Sequence, residues 1–183
     1  MEEELIAILA SRLTSREPLV GTLRSAAVSV VLKKTPRPEV LLIRRAERAG
    51  DPWSGQVAFP GGKRQEEDRS ARETAERETQ EEVGIDLARD SDFMGYHTPF
   101  RTHTGDMDVV PAVFLLKRET AVAANQEVES FRWADLVTLV APESRLTYRL
   151  PSEGLEVPAL RVGDFIVWGL TNRIISSLVQ REH

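Results

Sequence analysis

The stretch that most constrains this chain is SARETAERETQEEVGI, residues 70–85, because it marks both ends of a helix and assigns its faces. Ser70 followed by Glu73 fits a capping box that starts a helix at Ala71, and Gly84 fits the position just past the helix end. At about 100° per residue, with Glu78 at zero, Ala71 falls at about 20°, Glu82 at about 40°, Ala75 at about 60°, Glu81 at about 300° and Thr74 at about 320°. Glu78, Glu81 and Glu82 thus share the small-residue face, the one that should turn toward the protein. Arg69, Arg72, Glu73, Glu76 and Gln80 lie at roughly 120–220° and read as solvated surface. Val83, at about 140°, does not fit this division and is assigned to the helix terminus.

Carboxylates crowded at i, i+3 and i+4 repel by about 0.2–0.5 kcal/mol per exposed pair, and by more when desolvated. A divalent cation reverses that sign. The chain has no cysteine, which excludes disulfides and thiolate metal sites and leaves oxygen or imidazole ligands. Oxygen ligands from one rigid helix suit Mg²⁺ or Mn²⁺, which keep waters and bridge to phosphate oxygens.

The surrounding chain reads as a mixed sheet flanked by helices, an α/β (α+β) arrangement. Leu5, Ile6, Leu9 and Leu13 form the stripe of a first helix ending before Pro18. Residues 23–34 and 39–46 read as strands joined by TPRP into a hairpin, and 47–70 as a long irregular connection of the kind that tends to be functional. FMGYHTPF and MDVVPAVFLLK are strand-like, with Pro111 predicting an edge or bulge. EVESFRWADL is a strand running into a short helix, turns fill 141–163, and GDFIVWGLTNRIISSLVQR closes the chain as a strand and an amphipathic helix with Leu170, Ile174, Ile175 and Leu178 on one face.

At 183 residues one well-buried domain spanning 1–183 is expected, with residues 1–17 packed on it. A net charge of −5 argues against a surface for nucleic acid polymers, though a small phosphate ligand fits where cations offset the charge locally. MEEELIAILASRL is acidic and helically spaced, unlike a secretion signal, and no apolar run approaches membrane-spanning length, so the expectation is a cytoplasmic protein without a membrane partner.

RETQEEVGI resembles the second half of the Nudix box, Gx5Ex7REUxEExGU with U a bulky aliphatic, at Arg77, Glu78, Glu81, Glu82, Gly84 and Ile85. Thr79 replaces the first aliphatic, and a loop one residue longer puts Gly62 and Asp68 at the glycine and acidic positions, giving a box over 62–85. The branch that cleaves coenzyme A has this longer spacing. Its upstream motif, LLTxR[SA]x3Rx3GxxxFPGG, is met at Leu41, Leu42, Arg45, Ala46, Gly55, Phe59, Pro60, Gly61 and Gly62. Ile43 stands in for Thr, the middle Arg is not at its expected place, and the spacing to Gly55, through the insert GDPWSG, is one residue too long. VWGLT near the end also looks like a stretch common in that branch.

The resemblance implies a Nudix fold, a mixed β-sheet sandwiched between α-helices, and hydrolysis of a nucleotide-derived diphosphate with Mg²⁺ or Mn²⁺ and an attacking water. It implies Glu78 and Glu82 as principal metal ligands, Glu81 as a further ligand or a contact through water, the Gly62 carbonyl on the metal, and Arg77 as the arginine that holds a glutamate. Asp68 is read as a loop cap, with an outer-sphere role as the alternative. For the general base the candidates are Glu127 and Glu129, with Glu127 preferred. Substrate contacts are expected from Arg45, Trp53, Phe59, Lys63, Arg101 and His103, with His97 a further candidate; Trp133 and Trp168 are assigned to the core. Coenzyme A or acyl-CoA leads as substrate. The alternatives are ADP-ribose, nucleotide sugars, NADH or nucleoside triphosphates, and, from another class, a nucleotide sensor without catalysis. The resemblance also allows a homodimer.

Overall fold

A computed structural model describes residues 2–20, 24–51, 53–151 and 153–179. Leu23, Pro52, Gln180 and Arg181, which belong to expected elements, lie outside the described residues. In order the elements are α1 (Glu2–Ser11), β1 (Ser25–Lys33), β2 (Glu39–Arg45), β3 (Val57–Ala58), β4 (Gly61–Lys63), α2 (Ala71–Val83), α3 (Leu87–Asp90), β5 (Ser91–Tyr96), β6 (Phe100–Arg101), β7 (Asp108–Leu116), β8 (Val128–Asp135), α4 (Leu136–Val140), β9 (Arg145–Arg149), β10 (Glu156–Val162), β11 (Phe165–Trp168) and α5 (Gly169–Val179).

Strands β1 to β8 form one mixed sheet, in which β1 and β7 run parallel and the other pairs antiparallel. Period-two alternation divides its side chains between two cores. Ala27, Val31, Leu41, Ile43, Val110, Ala112 and Phe114 meet Ala71, Ala75 and Val83 of α2; Val30, Leu32, Val40, Leu42 and Val113 meet Leu9, Phe165, Ile174, Ile175 and Leu178 on the other face. The sheet is therefore covered by α2 on one face and by α5, α1 and the β9–β11 meander on the other. The expected hairpin is present, with Leu32 opposite Val40.

Three expectations need correction. The 47–70 connection contains β3 and β4, strands of two and three residues that are too short to show a period. The 141–163 region holds β9 and β10 rather than turns alone: Pro151 and Gly154 fall between the two strands and Gly163 after them, whereas Pro158 sits within β10 opposite Thr147 without interrupting it. Strand β7 lies inside the sheet despite Pro111, which pairs with Val28 of β1. The Pro111 carbonyl accepts from the His97 backbone where the outer partner changes from β5 to β6, so the missing N–H falls at a ladder break. Trp133 and Trp168 are only half-buried, Trp133 lying beneath the Lys33 ammonium.

Candidate active site

The helix boundaries match the sequence. The Ser70 side chain accepts from the Glu73 backbone, and Gly84, in the left-handed region with φ 72°, donates its N–H to the Gln80 carbonyl. The Glu73 carboxylate accepts from the Arg69 backbone, so the box closes one residue early. Thr79, the departure from the aliphatic pattern, meets the Ser29 hydroxyl at 2.6 Å and the Ala75 carbonyl at 2.7 Å. This hydroxyl pair fastens α2 to the middle of β1.

The buried residues Ala71, Thr74, Ala75, Thr79, Glu82 and Val83 centre the inward face nearer Glu82 than Glu78. The three box glutamates are consequently graded in depth: Glu82 is 2% exposed, the Glu78 side chain 15% and that of Glu81 55%. All three occupy the end of the helix where the macrodipole is negative, and the last turn carries no basic residue.

Strand β4 comes up against this end of the helix. Gly61 lies opposite Val28 and Gly62 opposite Ala27 on β1. The Gly61 N–H donates to Glu82 at 2.9 Å. A Cβ on Gly62 would stand 2.4 Å from the Glu78 Cδ, and one on Gly61 would stand 2.3 Å from the Ala27 carbonyl oxygen. Both glycines are thus required by close approach, one to a carboxylate and one to a strand.

Arg77 organises the opposite flank. It donates to both oxygens of Asp68, at 3.1 and 2.9 Å, to Glu78 at 2.8 Å and to the Lys63 carbonyl at 3.0 Å, while Glu81 lies at 3.5 Å. Asp68 also accepts from the Gln65 backbone and the Thr74 hydroxyl, each at 2.9 Å. Hydrogen bonding from Arg77 is the main reason its carboxyl is held down at about 2.

Glu82 behaves in the opposite way. Burial, reinforced by the charges of Glu78 and Glu127, pushes its carboxyl up to about 7 against the opposing Gly61 N–H and Arg45. Burial likewise raises Glu78, despite Arg77. Glu78 shares its Arg77 guanidinium with Asp68, Glu82 has no ion pair among the described residues, and the oxygen donors of these two deeply placed carboxylates, one turn apart, fit a hard divalent cation. Among the described residues no three acidic or imidazole groups already converge as a complete metal shell. Two carboxylates, a glycine carbonyl and water would be the donors.

Glu127 reaches this end because the segment before β8 is bonded to the last carbonyls of α2: Ala123 donates to Val83 at 2.8 Å and Asn125 to Glu82 at 2.9 Å. The Asn125 side chain then accepts from the Glu127 backbone at 2.8 Å. Arg45 faces the same side, bonded to Asp51 at 3.0 Å. Trp53, 49% exposed, projects from the same loop as Asp51.

Other expected contacts are not gathered here. Phe59 is 3% exposed in the core on the other face. Lys63, opposite Ala26, lines a separate cleft of about 460 Å³ with Arg24, Arg64 and Met107. Arg101, on β6, is separated from β4 by β1 and β7 and pairs with Asp108 at 3.1 Å; His103 is exposed in the following turn. His97 is buried, its ring nitrogens meeting the Thr98 carbonyl and the Ser177 hydroxyl. Glu129 is exposed. The sequence reading missed Arg48, Asp51 and Asn125; the available signals were the Asx-turn spacing of Asn125 to Glu127 and the Asp-Gly-Ser-rich loop.

A family model for the NUDIX domain matches residues 23–150. A protein named uncharacterized Nudix hydrolase NudL from Pectobacterium atrosepticum is 34% identical over 162 residues, covering 85% of this chain and 81% of the relative. NudL from Yersinia enterocolitica is 30% identical, covering 93% and 90%. The uncharacterized protein C14C4.10c of Schizosaccharomyces pombe is 37% identical over 125 residues, 64% of this chain, and the match spans only 38% of its length. Among solved structures, a MutT/nudix family protein from Enterococcus faecalis superposes with a TM-score of 0.54 at 21% identity, covering 96% of this chain and 66% of that one. An Ap4A hydrolase from C. elegans superposes at 0.51 and 20% identity, covering 63% and 82%. These two likenesses support the fold alone. The chain belongs to the Nudix family, as a hydrolase acting on pyrophosphate bonds.

Proposed function

We propose that this chain is one Nudix domain that hydrolyses the diphosphate of coenzyme A or an acyl derivative, giving an adenosine diphosphate product and phosphopantetheine. The observation that carries the catalytic reading is the pair Glu78 and Glu82, deep and one turn apart, with the Arg77 guanidinium on Glu78 already shared with Asp68, against the Gly61–Gly62 strand. Glu78, Glu82 and the Gly62 carbonyl would hold Mg²⁺ or Mn²⁺, with Glu81 assisting directly or through water. When bound, such a cation supplies neutralisation of phosphoryl charge and a lowered pKa for water.

The chain's own residues do the rest. Arg77, anchored on Asp68, fixes Glu78, and Glu127 is the base that takes the proton from the attacking water. The oxygen of that water bonds to one phosphorus while the bridging oxygen leaves with the other. Arg45, on the same side, is a cation for the phosphates, and Trp53 is a surface on which a base can stack. Support for coenzyme A comes from the motif over residues 41–62. The departing insert GDPWSG favours a second reading, another nucleoside diphosphate derivative.

A substrate screen with Mg²⁺ decides between them. Turnover of coenzyme A above that of ADP-ribose, nucleotide sugars and NADH is expected; brisk ADP-ribose turnover with none of coenzyme A would overturn the first choice.

A further inference from the structure

An ion pair sets the Arg48 guanidinium at 3.2 Å from an oxygen of Glu127, the residue assigned above as base. Exposed pairs are ordinarily worth about 0.2–1 kcal/mol, because ordering two long side chains offsets the attraction. Here the backbone of each partner is held by hydrogen bonds of its own, so only the side chains remain to be ordered. The Ser54 hydroxyl accepts from the Arg48 N–H at 2.8 Å and donates to the Arg48 carbonyl at 2.9 Å. Glu127 has its N–H on Asn125 and its carbonyl on the Ala46 N–H, at 2.8 Å each.

The loop does not need the pair for its own closure. Arg45 donates its N–H to Gln56, its carbonyl accepts from Gly55, and its guanidinium holds Asp51, which also accepts from the Trp53 backbone. The consequence of the pair therefore falls on Glu127. Freed from Arg48, that carboxylate can turn further into solvent and away from the end of α2, where the Asn125 N–H on the Glu82 carbonyl at 2.9 Å and the Glu127 N–H on the Asn125 side chain at 2.8 Å hold its backbone.

We propose that Arg48 is a positioning residue, which the Ser54-closed loop presents to Glu127 so that its carboxylate stays aligned beside Glu78 and Glu82. This rests on Glu127 acting in hydrolysis. The test measures kcat and KM at saturating Mg²⁺, on the best substrate of the screen, for the full chain and for Arg48→Ala, Arg48→Lys, Glu127→Gln and the Arg48→Ala/Glu127→Gln double variant, with melting temperatures alongside.

Glu127→Gln is expected to lose about 10²-fold or more in kcat. Arg48→Ala is expected to lose about tenfold in kcat, with KM within about twofold and an unchanged melting temperature. Arg48→Lys should recover most of that loss, and the double variant should be no slower than Glu127→Gln. An impaired Glu127→Gln beside a fully active Arg48→Ala overturns the role of Arg48 alone, as do losses that multiply in the double variant. Wild-type turnover by Glu127→Gln removes the base assignment and this inference with it.

Discussion

Two flanks of one helix handle negative charge in opposite ways. At Asp68, Arg77 supplies two hydrogen bonds, Gln65 and Thr74 supply one each, and the carboxyl is held at about 2. At Glu82, burial is nearly complete, the one hydrogen bond among the described residues comes from the Gly61 N–H, and the carboxyl rises to about 7. The first is a structural lock, complete within the chain. The second is a deficit of positive charge, costly to a folded protein unless a cation meets it. The contrast teaches that burial alone does not separate a structural carboxylate from a functional one; the count of donors does.

The largest effect expected is on turnover. Glu82→Gln keeps an oxygen for the Gly61 N–H but removes the charge, and should cost on the order of 10³-fold in kcat. Gly62→Ala comes next, at about 10²-fold, because its Cβ meets the end of the Glu78 side chain and displaces it at little cost to the fold. Gly61→Ala separates the two effects: its Cβ meets the Ala27 carbonyl, so about 2 kcal/mol or more of stability should be lost in urea denaturation. Arg77→Ala strands the buried Asp68 and should cost about 3 kcal/mol.

The two flanks should also respond to pH with opposite sign. The Asp68 carboxyl lies below its ordinary 3.8, so its contribution is present above that value and is lost as pH falls through about 2. The Glu82 carboxyl lies above its ordinary 4.5, so its contribution is present below 4.5 and is lost as pH rises through about 7. Urea midpoints in chelator should therefore decline between these values, and Glu82→Gln should flatten the decline. The smallest effect belongs to Thr79→Val, about 1 kcal/mol with unchanged turnover, and adding Ser29→Ala should recover much of it by removing both hydroxyls.

Helix α2 was legible to the residue because its cap, its period and its terminal glycine agree, and the shared face turned Glu78 and Glu82 inward, although Glu81, expected on the same face, is exposed. Their unequal depth was not legible. A wheel gives direction, whereas depth depends on where β4 approaches, and Gly61–Lys63 is too short to announce itself as a strand. The meander escaped for the complementary reason: Pro158 and the glycines at 154 and 163 read as turn signals, although the strands between them pair in full register. Long-range partners such as Arg48 with Glu127 have no local pattern at all, being joined only when β8 pairs with β2.

The central claim is that the Glu78–Glu82 side of the helix is built for a divalent cation and the Asp68–Arg77 side is not. Mn²⁺ binding at pH 8, followed by electron paramagnetic resonance on the full chain, tests it most directly. Binding by the wild type should weaken at least about tenfold in Glu82→Gln and by a smaller factor in Asp68→Asn, where Arg77 loses its anchor but Glu78 and Glu82 keep their charge, once the protein is shown to be folded. Undiminished binding by Glu82→Gln, or loss only in folded Asp68→Asn, would contradict the account.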